Sequence, residues 1–549
     1  MRLFTNSPLG ASPPRCPVRI ERSPMTNTRL RTPQLSRRSF LQFTGLIGGA
    51  TLLGTTTACA GPTGKPTQDT LVLGLNRSLV SLDNKLNQFD AAVTAQRGVR
   101  QGLTRIGDNL TPQLVLADRF ESTGPTEWTV RLREGIRYSD GTPVLIDDVT
   151  TAMQMYQQVS GSFVAPQFPE WPTVVPIDDR TFILRTNSPV PVLDSLMSNI
   201  LITPAAANEP NELQSGIGSG PFVVSESNRG TGDYTLVAND NYWGPAPGLR
   251  RVQVRFIPEE AGRVVALRSG EVDVIDSISP DSAEQLGDLP GVQVDTVPST
   301  RINQLFFNFR KPADHPLSNP RVREALTYAI DGESLARDVL IGSAVPATGP
   351  APSTLDGAVK TGTYQYDPRK ARQMLAAEGA DDLELTFIWE TGEFTNDVSV
   401  MESVLEMMKA VGVRVKLQQF EPGGDISSWR QGKTGDWDVL GNGYGNQTGL
   451  ALTTLQGMYA GTAEKEATRD TYHGYVFPEI TAKIQAASSE PDPTKRAALL
   501  DAAQQDIWNT WPCLWSFVPN ALLAKRTRVQ NVSLTPINSY DLGAVRLEA

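Results

Sequence analysis

The chain has 549 residues, with 50 Lys and Arg against 60 Asp and Glu for a net charge of −10, and 20% of its residues are charged. Such a length supports a large apolar core spread over two or three lobes, and the acidic balance excludes a surface built for phosphate backbones, so no nucleic-acid partner is expected. Three cysteines and two histidines are too few for a disulfide framework or a Cys/His metal centre.

Residues 1–58 read as an export signal. Ser36-Arg37-Arg38-Ser39-Phe40-Leu41 leads into a short apolar stretch ending at Leu53, and Thr56-Thr57-Ala58-Cys59 follows. The stretch is too short to cross a ~30 Å hydrocarbon core as a helix. The paired arginines and the Gly- and Thr-rich apolar region resemble a twin-arginine signal, and Cys59 stands where a lipoprotein peptidase would cut. General export, or ordinary cleavage at Ala58-Cys59-Ala60 that releases a soluble protein, are the alternatives. Residues 1–24 read as an upstream extension, with Met25 an alternative start to Met1. Removing residues 1–58 takes away 8 Arg and 1 Glu, leaving 42 basic and 59 acidic residues and a net charge of −17. The mature protein is expected on the outer face of the cytoplasmic membrane, held by a lipid on Cys59, as a monomer. Cys16 precedes the signal and Cys513 is alone, so no internal disulfide is expected.

Residues 59–69 form a Gly/Pro/Thr tether. Leu71 to Leu75 then reads as a buried strand, and Trp128 to Leu132 as an alternating one that turns at Glu134-Gly135. Asp140-Gly141-Thr142-Pro143 is a turn opening a helix, with Asp147 and Asp148 at its positive end. Val252, Val254 and Phe256 mark a half-buried strand. A helix from Glu259-Glu260 to Gly270 and a strand from Val272 to Ile275 complete a βαβ unit. Asn319-Pro320 and Asp367-Pro368 each start a helix; the first is apolar at Val322, Ala325, Leu326, Ala329 and Ile330, the second at Ala371, Met374 and Leu375. A third helix buries Val400, Val404, Leu405 and Met408, ends at Gly412, and precedes a strand through Val413, Val415 and Leu417. Alternating helices and strands predict α/β lobes with mixed sheets.

Several segments stand in a fixed order along the chain. They begin with Asp108-Asn109-Leu110-Thr111-Pro112-Gln113-Leu114-Val115-Leu116-Ala117, loosened by an inserted pair. The most specific runs from Trp128 through Gly135 to Pro143 and closes with Asp147-Asp148-Val149. Gly218-Ser219-Gly220-Pro221-Phe222, Asn239-Asp240-Asn241-Tyr242-Trp243, and Leu267 through Gly270 to Val274 come next. Arg321-Val322-Arg323-Glu324-Ala325-Leu326 with Ala329-Ile330-Asp331 completes the set. In this order the segments resemble the family 5 solute-binding proteins of ABC importers, the peptide/nickel/opine type. The resemblance implies a type II periplasmic-binding-protein-like clamp: two α/β lobes, an extra third domain, and ligand enclosed between domains I and III. It places domain I at 70–82, 211–300 and 517–549, domain II at 83–210, and domain III at 301–516. It also implies capture of a peptide-like or other polar solute and delivery to ABC permease subunits. Most motif residues read as scaffold.

Asp436 to Gly445 resembles the family segment that enters the cleft, with Tyr444 where relatives usually carry Trp. In peptide-binding relatives a carboxylate soon after that aromatic pairs with the ligand ammonium. Here Gly445-Asn446-Gln447-Thr448-Gly449-Leu450 follows, and no acidic residue occurs before Glu464. An unpaired ammonium in a closed cleft costs several kcal/mol. Either another carboxylate substitutes or the ligand is not a short zwitterionic peptide. Asn446, Gln447 and Thr448 offer neutral hydrogen bonds; Trp389, Trp429, Tyr444 and Trp515 offer flat contact area; Gly443 allows close backbone approach. Core packing is the competing reading for each aromatic. No Gly-x-Ser-x-Gly elbow precedes His315 or His473, and Gly216-Ile217-Gly218-Ser219-Gly220 has the spacing of neither a nucleophile elbow nor a dinucleotide loop, so no enzyme and no cofactor are expected. A nickel-chelate binder using one histidine, and a ligand-binding sensor or chaperone, are the alternatives.

Overall fold

The computed structural model describes residues 69–548, apart from 77–81, 83–84, 86–89, 160–161, 163, 206–215, 229, 422–423, 462–470, 472, 533 and 538. The signal segment, Cys59 and nearly all of the tether lie outside the described residues.

Thr70–Leu75 is buried along its length because it lies inside a sheet. It pairs in parallel with Arg251–Phe256 on one side and Val274–Asp276 on the other. Parallel neighbours need a crossover, and the helix Glu260–Ser269 supplies it, ending at Gly270 with φ 79°. The expected βαβ unit is therefore present, with the first described strand inserted between its two strands. Its second strand starts at Val274 instead of Val272. Asp273, fully buried before it, bonds to Arg528 at 2.8 and 2.9 Å.

The strand Cys513–Arg526 carries this sheet onward. Its second half pairs antiparallel with Val274–Asp276 and Val292–Pro298, and its first half with Ile302–Phe307 and Ala344–Pro346. Beyond Ile302–Phe307 lie Val439–Tyr444, Glu384–Glu390 and Arg414–Phe420, the last pairing in parallel with its neighbour. A mixed sheet of 12 strands results. A separate antiparallel sheet of four strands, Ala117–Gly124, Glu127–Leu132, Thr181–Arg185 and Thr173–Pro176, shares an apolar core with the helix Ile146–Gln158.

The helices start where side-chain oxygens replace missing backbone acceptors. Asn319 accepts from Arg321 N–H at 2.9 Å, and Asp367 from Arg369 and Lys370 at 3.1 and 3.0 Å. Asp148 accepts from Leu145 N–H at 2.8 Å at the entry to Ile146–Gln158. In the helix Asp397–Ala410, Met401 is buried with Val400, Val404 and Met408, and Leu405, expected inward, is half-buried. Apolar clusters gather around Val130 and Phe182, around Leu73 and Val254, and around Phe306, Phe307 and Phe387.

Candidate functional site

A cavity of about 1690 Å³ opens between these parts. Phe168, Glu170 and Ser188 line it from the region of the four-stranded sheet. Arg263 and Ser279 line it from the βαβ region, and Arg301, Glu393, Tyr444 and Gln447 from the far half of the large sheet. Its volume exceeds the 300–1,000 Å³ usual for a drug-sized ligand.

The strand Val439–Tyr444 sets one wall. Pairing with Ile302–Phe307 puts Gly443 opposite Asn303 and Tyr444 opposite Ile302. A Cβ on Gly443 would lie 2.1 Å from Asn303 Oδ1 and 2.7 Å from Arg301 Nε. Glycine is needed here so that neighbouring side chains can cross the backbone. The Gly443 N–H donates to Glu393 Oε1 at 3.0 Å, the same oxygen that receives the Arg301 guanidinium, and Arg301 Nε donates to Asn303 Oδ1 at 3.0 Å. Tyr444 lies half-buried over Gly457, where a Cβ would come within 2.1 Å of its hydroxyl.

The loop after Tyr444 is pinned by its own side chains. Asn446, 3% exposed, donates to Leu450 O (2.7 Å), Thr453 Oγ1 (2.9 Å) and Thr454 Oγ1 (2.8 Å). Its Oδ1 accepts from Thr448 N–H and Gly449 N–H, each at 3.0 Å. Thr448 Oγ1 meets Thr453 Oγ1 at 2.6 Å. Asn446 and Thr448 thus spend their polar atoms inside the loop and not on a ligand, which their neutral hydrogen-bonding groups alone would suggest. Gln447, between them, is half-buried on the cavity wall.

The tryptophans are placed elsewhere. Trp389 and Trp515 belong to the apolar cluster around Phe387, and Trp515 stacks on Phe517 at 4.6 Å. Trp429 packs edge-on against Phe420 at 5.3 Å. None of the three lines the cavity. Tryptophan content marks flat area, and only tertiary packing decides whether core or cleft receives it.

Sequence reasoning missed Arg301 and Glu393 and gave His473 no place on the wall; Trp437, within the segment read as entering the cleft, is buried at the wall. Glu393 follows the strand Glu384–Glu390 within a Thr-Gly-Glu turn, the one local signal that it leaves a sheet end exposed. His473 stacks on Phe306 at 4.5 Å, with Nδ1 3.3 Å from Phe307 O, and burial lowers its pKa to about 3. It is neutral at ordinary pH. The wall's other carboxylates are held by the chain: Glu260 by Ser279 N–H and hydroxyl (2.7 Å each), Asp397 by Gly392 N–H (2.8 Å), Glu170 by Ser188 N–H (2.8 Å). Burial still pushes the Asp397 carboxyl upward against these bonds. Among the described residues no cluster of three or more His, Cys, Asp or Glu side chains is arranged to hold a metal, and no helix is long and apolar enough to cross a membrane.

Two α/β lobes and a further domain around a large cleft define a ligand-binding clamp of the type II periplasmic-binding-protein fold. Residues 109–466 match the model of the bacterial extracellular solute-binding proteins, family 5 Middle, and the chain belongs to that family. It is 25% identical over 423 residues to the probable D,D-dipeptide-binding periplasmic protein DdpA of Escherichia coli K12, covering 75% of this chain and 80% of that one. Its fold matches the ABC transporter-associated periplasmic binding protein DppA of Helicobacter pylori in complex with peptide STSA, with TM-score 0.75, 22% identity, and coverage of 87% and 98%. NikA of Staphylococcus aureus in complex with Ni(L-His)2 matches with TM-score 0.75, 18% identity, and coverage of 87% and 100%.

Proposed function

We propose that this solute-binding protein captures a peptide-like or other polar solute in the cleft and hands it, chemically unchanged, to an ABC importer. The cavity of about 1690 Å³, walled by Tyr444, Gln447, the Gly443 backbone and the Arg301–Glu393 pair, carries the reading. The complex of DppA with a peptide and the dipeptide-binding designation of DdpA support it. Tyr444 and Gln447 contact the solute, Asn446 and Thr448 shape the loop that presents them, and Trp389, Trp429 and Trp515 stiffen the wall from behind. His473 is buried and packed on Phe306, which suits a scaffold, and a pKa lowered to about 3 makes it a weak base.

The domain bounds proposed are 70–82, 211–300 and 517–549, then 83–210, then 301–516. The cluster around Val130 and Phe182 supports the second, while Ala92, Ala95 and Val99 pack with Leu73 and Val254 of the first, and Phe517 packs with the third. Anchoring by a lipid on Cys59, after a twin-arginine-like signal, remains part of the proposal. Intact mass of membrane-extracted protein should carry a diacylglyceryl group, and Cys59→Ala should release it. The function itself is tested by denaturing purified protein and identifying the released small molecule by mass spectrometry. Recovery of that molecule unaltered after incubation is expected; a chemically altered product would overturn the reading.

A further inference from the structure

Arg301 and Glu393 meet on the cavity wall in a place the backbone makes for them. The guanidinium crosses Gly443, where any Cβ would stand 2.7 Å from both Nε and Nη2. Asn303 holds Nε at 3.0 Å, and Glu393 Oε1 takes both Arg301 Nη2 and the Gly443 N–H. The side chains are 34% and 19% exposed, so the pair is reachable from the cavity yet partly shielded from water. Glu393 Oε2 receives no hydrogen bond from any described residue. Glu170, Glu260 and Asp397 are bonded by backbone amides and serine hydroxyls; Glu393 is the wall carboxylate in direct contact with a guanidinium.

A carboxylate on the wall of a closing cleft is the group that a ligand's ammonium would seek. Here a cation of the protein already holds it. We propose, resting on the reading above, that Arg301 is a built-in counter-charge that occupies Glu393 in place of a ligand ammonium. The clamp therefore selects solutes whose group at this position is a neutral amide or hydroxyl. Such a group donates to Oε2 with the ion pair intact. A free amino terminus must either displace Arg301 from Glu393 and Asn303 or sit beside its charge, a repulsive element that sets specificity.

The test uses one hexapeptide in free and N-acetylated forms, titrated calorimetrically into the wild type, Arg301→Met and Arg301→Gln. Circular dichroism and melting establish that each variant is folded, and Arg301→Gln, which can still donate to Asn303, decides if Arg301→Met is not. The wild type should prefer the acetylated form, and loss of Arg301 should move the ratio about tenfold or more toward the free form. Adding Glu393→Gln to the folded variant should abolish that shift. An unchanged ratio in the folded variant, or a shift that survives Glu393→Gln, overturns the inference while leaving solute capture intact. Should neither peptide form bind any of the proteins, the peptide reading fails and propylammonium judges the inference alone. A rise in melting temperature for the Arg301 variant that Glu393→Gln removes upholds it; equal responses overturn it.

Discussion

At Tyr444 the ring rests on Gly457 of the helix Ala451–Tyr459 and leaves its other side to the cavity. Gly457 provides the seat and the ring also packs against the apolar cluster around Phe306, so truncating it removes ligand contact together with part of that packing. Tyr444→Ala should weaken solute binding by roughly 1–3 kcal/mol with an unchanged far-ultraviolet spectrum, measured by calorimetry with the co-purified solute. His473 gives a second expectation at this scale. An unfolded chain takes a proton on this imidazole near ~6.5, whereas burial keeps the folded one neutral down to about 3. Between these values the unfolded state binds the extra proton. Stability from this residue is therefore complete above ~6.5 and declines as pH falls, by up to ~1.4 kcal/mol per unit. Denaturant unfolding at pH 7 and pH 5 should show a smaller acid loss for His473→Gln than for the wild type. His315, its pKa also lowered by burial, contributes with the same sign in both proteins.

Elements were legible where local chemistry decides them. Asn319-Pro320 and Asp367-Pro368 start helices because a side-chain oxygen and a ring with fixed φ act within three residues of each other. Gly270 ends one because its positive φ suits the helix stop. The site was legible only in part, because its chemistry comes from distant segments. Tyr444 and Gly443 stand on the wall as a strand end implied, yet Glu393 arrives from the turn after a separate strand and Arg301 from the residue before a third. Trp389 and Trp515 follow the same rule in reverse: their neighbours in sequence give no sign that the sheet turns them into the core. Asn446 is the clearest case of a polar residue whose partners are its own loop. Removing its amide leaves Leu450 O, Thr453, Thr454 and the amides of Thr448 and Gly449 without this shared partner. A buried group left unsatisfied costs about 1–3 kcal/mol. Asn446→Ala should therefore lower unfolding free energy by at least that range and weaken solute binding through disorder of the loop. Asn446→Asp should resemble it, with no gain for cationic ligands, since the side chain points into the loop.

At the scale of the whole molecule, the chain passes between the two halves of the large sheet at residues 299–301 and again along Cys513–Arg526. The two passages touch: Ser299 N–H donates to Pro519 O at 3.2 Å. Thr300 Oγ1 donates to Asn446 O at 2.6 Å and to Pro536 O at 3.1 Å, tying the first passage to the loop beyond Tyr444. Both passages also line the cavity, so a change in a few dihedral angles there would move the walls relative to each other. Ligand filling the cleft adds contacts to both walls and should favour the approached state. Scattering should then give a smaller radius of gyration with solute than without. Because the solute binds folded protein, saturation at one hundred times Kd should add about 2.7 kcal/mol to stability and raise the melting temperature. Thr300→Val removes the side-chain tie to Asn446 O while keeping the side chain's shape and the Thr300 N–H bond to Pro536 O at 2.9 Å. It should shrink both responses at a fixed solute concentration, through a higher Kd, and leave the unliganded radius unchanged. An unliganded radius altered by this substitution would mean that Thr300 sets the resting geometry and not its coupling to the site.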